Sequence, residues 1–511
     1  MLILDTKQTK KLEEEYISGG VENIKLMTTA GGSVAKFVRE KYNSDGHAVA
    51  VLCGKGNNGG DGFAAAKKLA ECGSKVRIIL VSGQPATDDA IDLFGRADRA
   101  GIKSLSYILD EEKDEAVKTI AAADFIIDAM VGSGFEGELH PDIAEIVKLA
   151  NMSTATKIAI DVPTGVNADT GEVPDIAFCA DATVTFTTKK PCHTIYPGAG
   201  YCGSVVTVNI GISENGISSD EAALESLDYQ YVRLCFPPRK ANTNKGDYGK
   251  LLLVAGNEVM PGAAILASRS ACQSGVGLVR LATAQQNIVA VASQNPDCTY
   301  VALSGASELA KESRRTLKEA VKNATAVAVG CGLGRNSVTD EIVKLVLEYS
   351  QVPMIFDADA IDSLSRLTGE LKNAKAPIII TPHPGEMARL TGTTPDDIQQ
   401  HRLNIAKNYA AEHGIYVVLK GANTIVACPN GKTYVNLTGN PGMSKGGMGD
   451  VLTGLMGSLL AQSMTPEDAA ACAVYLHSFC GDRAAKRYSE HAMTPSDIIY
   501  EFQPIFLEIE R

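Results

Sequence analysis

The sequence predicts two α/β domains, each a doubly wound, mostly parallel sheet flanked by helices. Three observations carry this reading. The 511 residues are 45% hydrophobic and 21% charged with a mean hydropathy of zero, an ordinary globular balance with length for two to four domains. Short β-branched runs alternate with helical spacing over residues 47–210, and the same rhythm restarts near 245, as expected of parallel strands joined by crossover helices. Between them, residues 211–240 are polar, rich in Gly and Ser, and end in Pro-Pro, which reads as a linker. The domain boundary is placed at 222/223, giving domains 1–222 and 223–511.

In the first half the strand-like runs are 47–53, 75–82, 124–130, 157–163, 182–188 and 204–210. Segments such as FAAAKKLAECG and IAEIVKLANM between them have helical spacing. In the second half the runs are 249–256, 276–282, 324–330, 352–359, 376–382 and 415–421, with helices such as PGAAILASRSACQ and DEIVKLVLEYS between them. The final 60 residues read as mostly helical, with start signals at Thr465-Pro466 and Thr494-Pro495, each followed by an Asp in the first turn.

Composition excludes several classes. A net charge of −12 argues against a nucleic-acid partner or an anionic membrane surface. No apolar run reaches 18 residues, and the short apolar start is soon followed by charges, so neither a membrane span nor a signal peptide is expected and a cytoplasmic location is. Twelve cysteines without a C-x-x-C pair, and eight scattered histidines, point to reduced, buried thiols rather than a zinc site.

In the first half, GKGNNGGDGF (54–63) follows a strand and opens a helix. Gly54, Gly56 and Gly59 fit G-x-G-x-x-G, but the next strand offers Ser82 where a ribose-binding acid belongs, which disfavours ordinary NAD-dependent hydride transfer. Asp128 and Asp161 end two further strands. In a doubly wound sheet such ends converge on one crevice, bringing them together with Asn58 and Thr164. An oxygen-only donor set of this kind suits a hard cation of low charge density, although an Asp alone at such a place also suits a helix cap.

In the second half, NLTGNPGMSKGGMGDVLTGLMGSLLA (436–461) is a glycine loop opening a long helix, with Asp450 at its start. Backbone N–H groups and the helix dipole favour an anion there, and Asp450 is placed as a base for phosphoryl transfer. Walker A spacing is absent. Lys420 in LKGANT suits a nucleotide, GCGLGRN (330–336) permits close approach of a ligand, His383 sits between Pro382 and Pro384, and FDADAID offers Asp357 and Asp359.

These motifs carry two resemblances. GKGNNGGDG, DAMVGSGFEGEL and DVPTGV resemble the NAD(P)H-hydrate epimerase family over most of residues 1–215. That resemblance implies a Rossmann-like fold and R/S interconversion at the hydrated C6 of NADHX and NADPHX. It assigns Asn57, Asn58, Gly59, Gly60, Asp61, Gly132, Ser133, Gly134, Phe135, Glu136, Gly137, Glu138 and Asp161 to the hydrate. Asn58, Asp128 and Thr164 are assigned to K⁺, and Asp161 to acid/base chemistry. The family usually has Ser where this chain has Thr164.

NKGDYGKLLLVAGN, PGAAILA, GCGLG, DADAI, TPHPGE, LKGANT and KGGMGD resemble the ADP/ATP-dependent NAD(P)H-hydrate dehydratase family across nearly all of 225–511. A ribokinase-like fold is implied, with Ala263, Gly332, His383 and Asp450 on the hydrate. Lys420, Gly421, Ala422, Asn423, Thr424 and Gly449 are assigned to the adenine nucleotide, with Mg²⁺ as cofactor and ADP as the favoured donor. The family more often has small residues around Ser444 and Lys445. A homo-oligomer without nucleic-acid or membrane partners is also implied. The rival readings are a ribokinase-like small-molecule kinase and a catalytically dead metabolite-binding module.

Overall fold

The apolar runs of the first half become β1 (Ala48–Cys53), β2 (Lys75–Leu80), β3 (Ser104–Ser106), β4 (Phe125–Ala129), β5 (Thr156–Ile160), β6 (Ala182–Phe186) and β7 (Ser204–Val208). The computed structural model describes every residue except 214–216, 219, 220, 237, 306 and 373. By its contacts the chain divides into two units, Leu2–Glu225 and Met1 with Ser226–Arg511.

In the first unit the sheet order is β3-β2-β1-β4-β5-β6-β7, and every neighbouring pair is parallel. Chain order reverses between β1 and β4, so the loops leaving these two strands border one crevice. Residues 54–63 and 130–138 follow those strands. Helices α1 (Thr6–Ser18), α2 (Asn23–Tyr42) and α3 (Asn57–Glu71) belong to this unit, and α3 begins directly after β1. Leu2–Ile3 pairs antiparallel with Leu224–Glu225.

The second unit holds β8 (Lys250–Val254), β9 (Leu278–Ala284), β10 (Cys298–Leu303), β11 (Ala326–Val329), β12 (Met354–Phe356), β13 (Ile378–Ile380), β14 (Tyr416–Leu419), β15 (Ile425–Ala427) and β16 (Thr433–Val435). These follow the order β16-β15-β14-β13-β12-β11-β8-β9-β10. The pairs β14–β15 and β15–β16 are antiparallel and the others parallel. The reversal lies between β8 and β11. Helices α4 (Pro261–Cys272), α5 (Pro384–Thr391), α6 (Met448–Ala461), α7 (Pro466–Ala492) and α8 (Pro495–Ile509) surround that sheet. Helix α6 is buried nearly all round, as its apolar sequence requires; Val451, Leu455 and Leu459 join Leu251, Leu253 and Ala328 of the sheet in one core.

The structure departs from the sequence reading in three places. Strands β3, β10, β15 and β16 add to the expected runs, and two of them make the second sheet mixed rather than wholly parallel. The expected linker 211–240 contains a strand at Leu224–Ser226 and a helix at Tyr229–Cys235; its residues 214–216, 219, 220 and 237 lie outside those described. Cys179 is exposed rather than buried. The expected terminal helices are present, with Thr465 and Thr494 capping them. Among the described residues no helix is long and apolar enough to cross a membrane.

Candidate active sites

At the first crevice Asp161 leaves β5 with φ +62°, a left-handed conformation that costs a non-glycine residue roughly 1–3 kcal/mol. What holds it is Lys190, whose ammonium is 2.5 Å from Asp161 Oδ1. Lys190 is 2% exposed and also donates to Thr185 Oγ1 at 2.9 Å and to the Phe186 carbonyl at 3.3 Å, so its three protons are all used. Thr185 Oγ1 donates to Asp161 Oδ1 at 2.8 Å. His193 Nδ1 accepts from the Lys190 N–H at 2.9 Å, which leaves a proton on Nε2 to donate to the Asp161 carbonyl at 2.8 Å. Burial alone would raise the Asp161 pKa, but Lys190, His193 and Thr185 together outweigh it and hold the carboxyl below its ordinary value.

Two more carboxylates face the same charges. Asp61, in the second turn of α3, is pushed well up by burial and then by the charges of Asp161 and Glu13. Glu13, on α1, is raised by burial and by Asp161 against the pull of Lys190. One lysine therefore serves three acids, of which Asp161 takes the direct contact.

The expected cation ligands also gather. Asp128 is fully buried. Its Oδ1 accepts from Thr164 Oγ1 at 2.7 Å and from Met130 N–H at 3.1 Å, and its Oδ2 accepts from Thr164 N–H at 2.8 Å. Burial raises its pKa to about 6 against these bonds. A Cβ on Gly132 would stand 3.0 Å from the Asn58 amide carbon, and Asn58 Nδ2 is buried without a partner. An unsatisfied amide beside a buried, raised carboxylate suits a weakly hydrated monovalent cation once the amide turns its oxygen inward. The donors present fit K⁺. The Thr164 carbonyl accepts from Phe178 N–H at 2.8 Å, and its hydroxyl accepts from Val131 N–H at 3.0 Å while donating to Asp128, so each oxygen keeps one lone pair.

Not every expected hydrate contact gathers equally. Phe135 is buried and Gly132 lies against Asn58, whereas Gly134, Glu136, Gly137 and Glu138 are exposed. Cys192, His193 and Cys202 place three ligand atoms within 4.8 Å of one another, but both ring nitrogens of His193 are already spent on Lys190 and Asp161.

In the second unit Asp357, 1% exposed, follows β12 and is fully engaged. It accepts from Lys420 Nζ, Thr381 Oγ1 and Thr453 Oγ1, each at 2.7 Å. Burial would raise it, yet Lys420 and the two hydroxyls hold it low. Asp450, in the first turn of α6, goes the other way: burial, then the Asp357 charge, lift it to about 6. Gly449 lies between them, its missing Cβ 3.5 Å from Lys420 Nζ and 3.6 Å from Asp357 Oδ2. The two neighbouring acids are thus set apart, one as a permanent counter-ion and one poised to titrate near neutrality.

Around them the other expected residues converge. A Cβ on Gly332 would sit 2.7 Å from Ala263 Cβ, so the loop after β11 meets the start of α4. A cavity of 480 Å³ opens beside it, lined by Gly256, Asn257, Ala284, Leu303, Leu333 and Asn336 among others. His383 caps α5, its Nδ1 accepting from Gly385 and Glu386 N–H; burial and then Lys420 keep it low and neutral. Asp359 accepts from Gly334 N–H at 2.8 Å, bracing that loop rather than meeting Asp357. Lys445 is spent on the carbonyls of Glu490, His491 and Met493. Thr424 Oγ1 donates to the Gly421 carbonyl at 3.0 Å, closing the LKGANT turn, in which Gly421 and Ala422 are exposed.

Residues 251–504 match the family model described as NAD(P)H-hydrate dehydratase, and residues 23–192 match that of the YjeF-related protein N-terminus. A bifunctional NAD(P)H-hydrate repair enzyme from Moorella thermoacetica is 35% identical over 492 residues, 95% of this chain and 93% of its own. The chain belongs to the family of bifunctional NAD(P)H-hydrate repair enzymes. A second such repair enzyme, from Thermofilum pendens, is 34% identical over 97% of this chain and 94% of its own. A ribokinase-like superfamily protein from Enterococcus faecalis V583, 28% identical with a TM-score of 0.51, covers 57% of this chain and 98% of its own. The C-terminal unit is therefore ribokinase-like, and the repair family takes precedence over the small-molecule kinase that a glycine loop alone leaves open.

Sequence reasoning missed Lys190, Thr185, His193 and Glu13 in the first unit, and Thr381, Thr453 and Arg402 in the second. The one available signal was the Lys189-Lys190 pair just after a strand, in the run TFTTKKPCHT.

Proposed function

We propose that residues 1–222 epimerise R- and S-NAD(P)HX and that residues 223–511 dehydrate the S form to NAD(P)H with ADP as phosphoryl donor. The observation that carries the reading is the opposed tuning of two acids, Asp161 at a strand end held ionised by Lys190 and Asp450 at a helix start lifted to about 6.

In the first unit Asp161 is the acid/base group at C6 or its hydroxyl. Asn57 to Asp61 and Gly132 to Glu138 frame the hydrate, with Lys190 keeping Asp161 ionised at neutral pH. Asn58, Asp128 and Thr164 would hold K⁺, which would supply fixed positive charge to orient the substrate. In the second unit Ala263, Gly332 and His383 place the hydrate against Asp450. Lys420 to Thr424 and Gly449 hold the nucleotide, and Mg²⁺ enters with its phosphates. Asp450 takes the proton of the C6 hydroxyl as that oxygen accepts the terminal phosphoryl of ADP, leaving AMP. Loss of phosphate from C6 with the C5 proton then restores the ring double bond. Asp357 takes no part in the proton transfer because its oxygens are engaged by Lys420, Thr381 and Thr453. A cytoplasmic homo-oligomer completes the proposal.

The test is absorbance at 340 nm on an R/S mixture of NADHX with Mg²⁺, K⁺ and either ADP or ATP. Recovery of both epimers, faster with ADP, is the expected result. Nucleotide consumption without NADH, seen only with small alcohols, would replace the proposal with the kinase.

A further inference from the structure

Behind the LKGANT turn lies a buried cation without a counter-ion among the described residues. Arg402 is 2% exposed. Its Nη1 donates to Gln399 Oε1 at 2.9 Å, and its Nη2 reaches the carbonyls of Leu419 and Lys420 at 3.4 and 3.5 Å. Its Nε is buried with no partner. Burial lowers its pKa to about 10, with no charged neighbour contributing, so the guanidinium stays charged at neutral pH. Lys420, the other cation here, is already neutralised by Asp357. An unpaired buried charge is costly, and something must offset it when the site is at work.

The geometry says where. Arg402 presses on one face of Gly421, where an added Cβ would stand 2.8 Å from Nη1. In a trans peptide the carbonyl and the following N–H point in opposite directions. A Lys420 carbonyl turned towards Arg402 therefore turns the Gly421 N–H away from it, to the exposed side of the turn. Among the described residues no protein acceptor meets that N–H. Gly421 has φ +140°, and a side chain there would fill the space the guanidinium occupies.

We propose that Arg402 is the positioning residue of the nucleotide turn, fixing the Lys420–Gly421 peptide so that its N–H meets a phosphate while leaving its own charge for that phosphate to balance. The proposal rests on the nucleotide reading of Lys420 to Thr424 given above. It predicts a division of effects that a simple structural brace would not produce. Removing Arg402 should weaken nucleotide binding without lowering the stability of the nucleotide-free protein, because the charge it removes is uncompensated there.

The experiment titrates full-length wild type, Arg402→Met and Arg402→Lys with ADP and Mg²⁺ by calorimetry, and melts each protein with and without ADP. Epimerase activity of the same samples reports on folding of the first unit. We expect Arg402→Met to bind ADP at least roughly tenfold more weakly, with the KM for the hydrate unchanged, the ligand-free melting temperature no lower, and the ADP-induced rise largely lost. Arg402→Lys should fall between the two. A lowered ligand-free melting temperature with an undiminished ADP-induced rise would make Arg402 a brace only and overturn the proposal. Should Arg402→Met fail to fold, Arg402→Lys decides: ADP affinity equal to wild type overturns the role, and weakened affinity supports it. Wild type that binds neither ADP nor ATP would sink the nucleotide reading itself, and this role with it.

Discussion

In the proposed reactions one side chain sets each pH range, Lys190 through Asp161 and Asp450 directly. Without the Lys190 ammonium, Asp161 keeps the burial that raises its pKa and loses the positive charge that most strongly opposes it. In Lys190→Met the acid limb of epimerisation should therefore move to higher pH, and the rate at pH 7 should fall at least roughly tenfold. An acid limb that stays in place would show that Asp161 is not the group Lys190 controls. Asp450 must be ionised to act as a base, and burial with the Asp357 charge puts its pKa at about 6. Dehydration should therefore be near its plateau at pH 8 and fall about tenfold per pH unit below 6, read as kcat/KM against pH. A profile flat down to pH 5 would remove Asp450 from proton transfer.

Helix α6 packs on α4 with no room to spare. A Cβ on Gly454 would stand 2.1 Å from the Ala267 carbonyl oxygen and 2.9 Å from Ser270 Cβ. Gly454→Ala must separate the helices that carry Asp450 and Ala263. We expect a loss of about 1–3 kcal/mol in the unfolding of the C-terminal unit and a raised KM for the hydrate, with epimerisation unchanged. Equal hydrate KM in the variant would mean that the α4–α6 spacing does not shape the site. Elements also differ in how far their sequence declares them. Runs such as AVAVLC and KLLLV are long enough to be legible as strands, and the place of Asp161 followed from where the similar run KIAI terminates. Strands β3, β15 and β16 have three residues each, too few to show a period of two, whereas the equally short β12 and β13 sit in the longer apolar runs VPMIFDAD and APIIITP. Lys190 reaches Asp161 across 29 positions through the β5–β6 crossover, and Arg402 reaches Lys420 through a helix. Neither pairing follows a local spacing, and only the fold brings them together.

Across the whole chain, two units with separate cores and separate crevices allow the two activities to be removed one at a time. Asp450→Ala should abolish NADH recovery while epimer interconversion, followed by chromatography of the hydrates, continues at the wild-type rate. Asp161→Ala should leave the S form fully repairable and slow recovery of the R form to its spontaneous rate. Loss of both activities in either variant would argue against this separation.

The pairing of Leu2 with Glu225 and the hold of Lys445 on the carbonyls of Glu490, His491 and Met493 also set a timetable during synthesis. The first crevice has all its residues once the ribosome has passed Glu225, whereas the glycine loop cannot be tied down until residue 493 has emerged. At ~5–20 residues per second the interval is some tens of seconds, during which a nascent chain owns the whole first crevice while the glycine loop of the second still lacks its anchor.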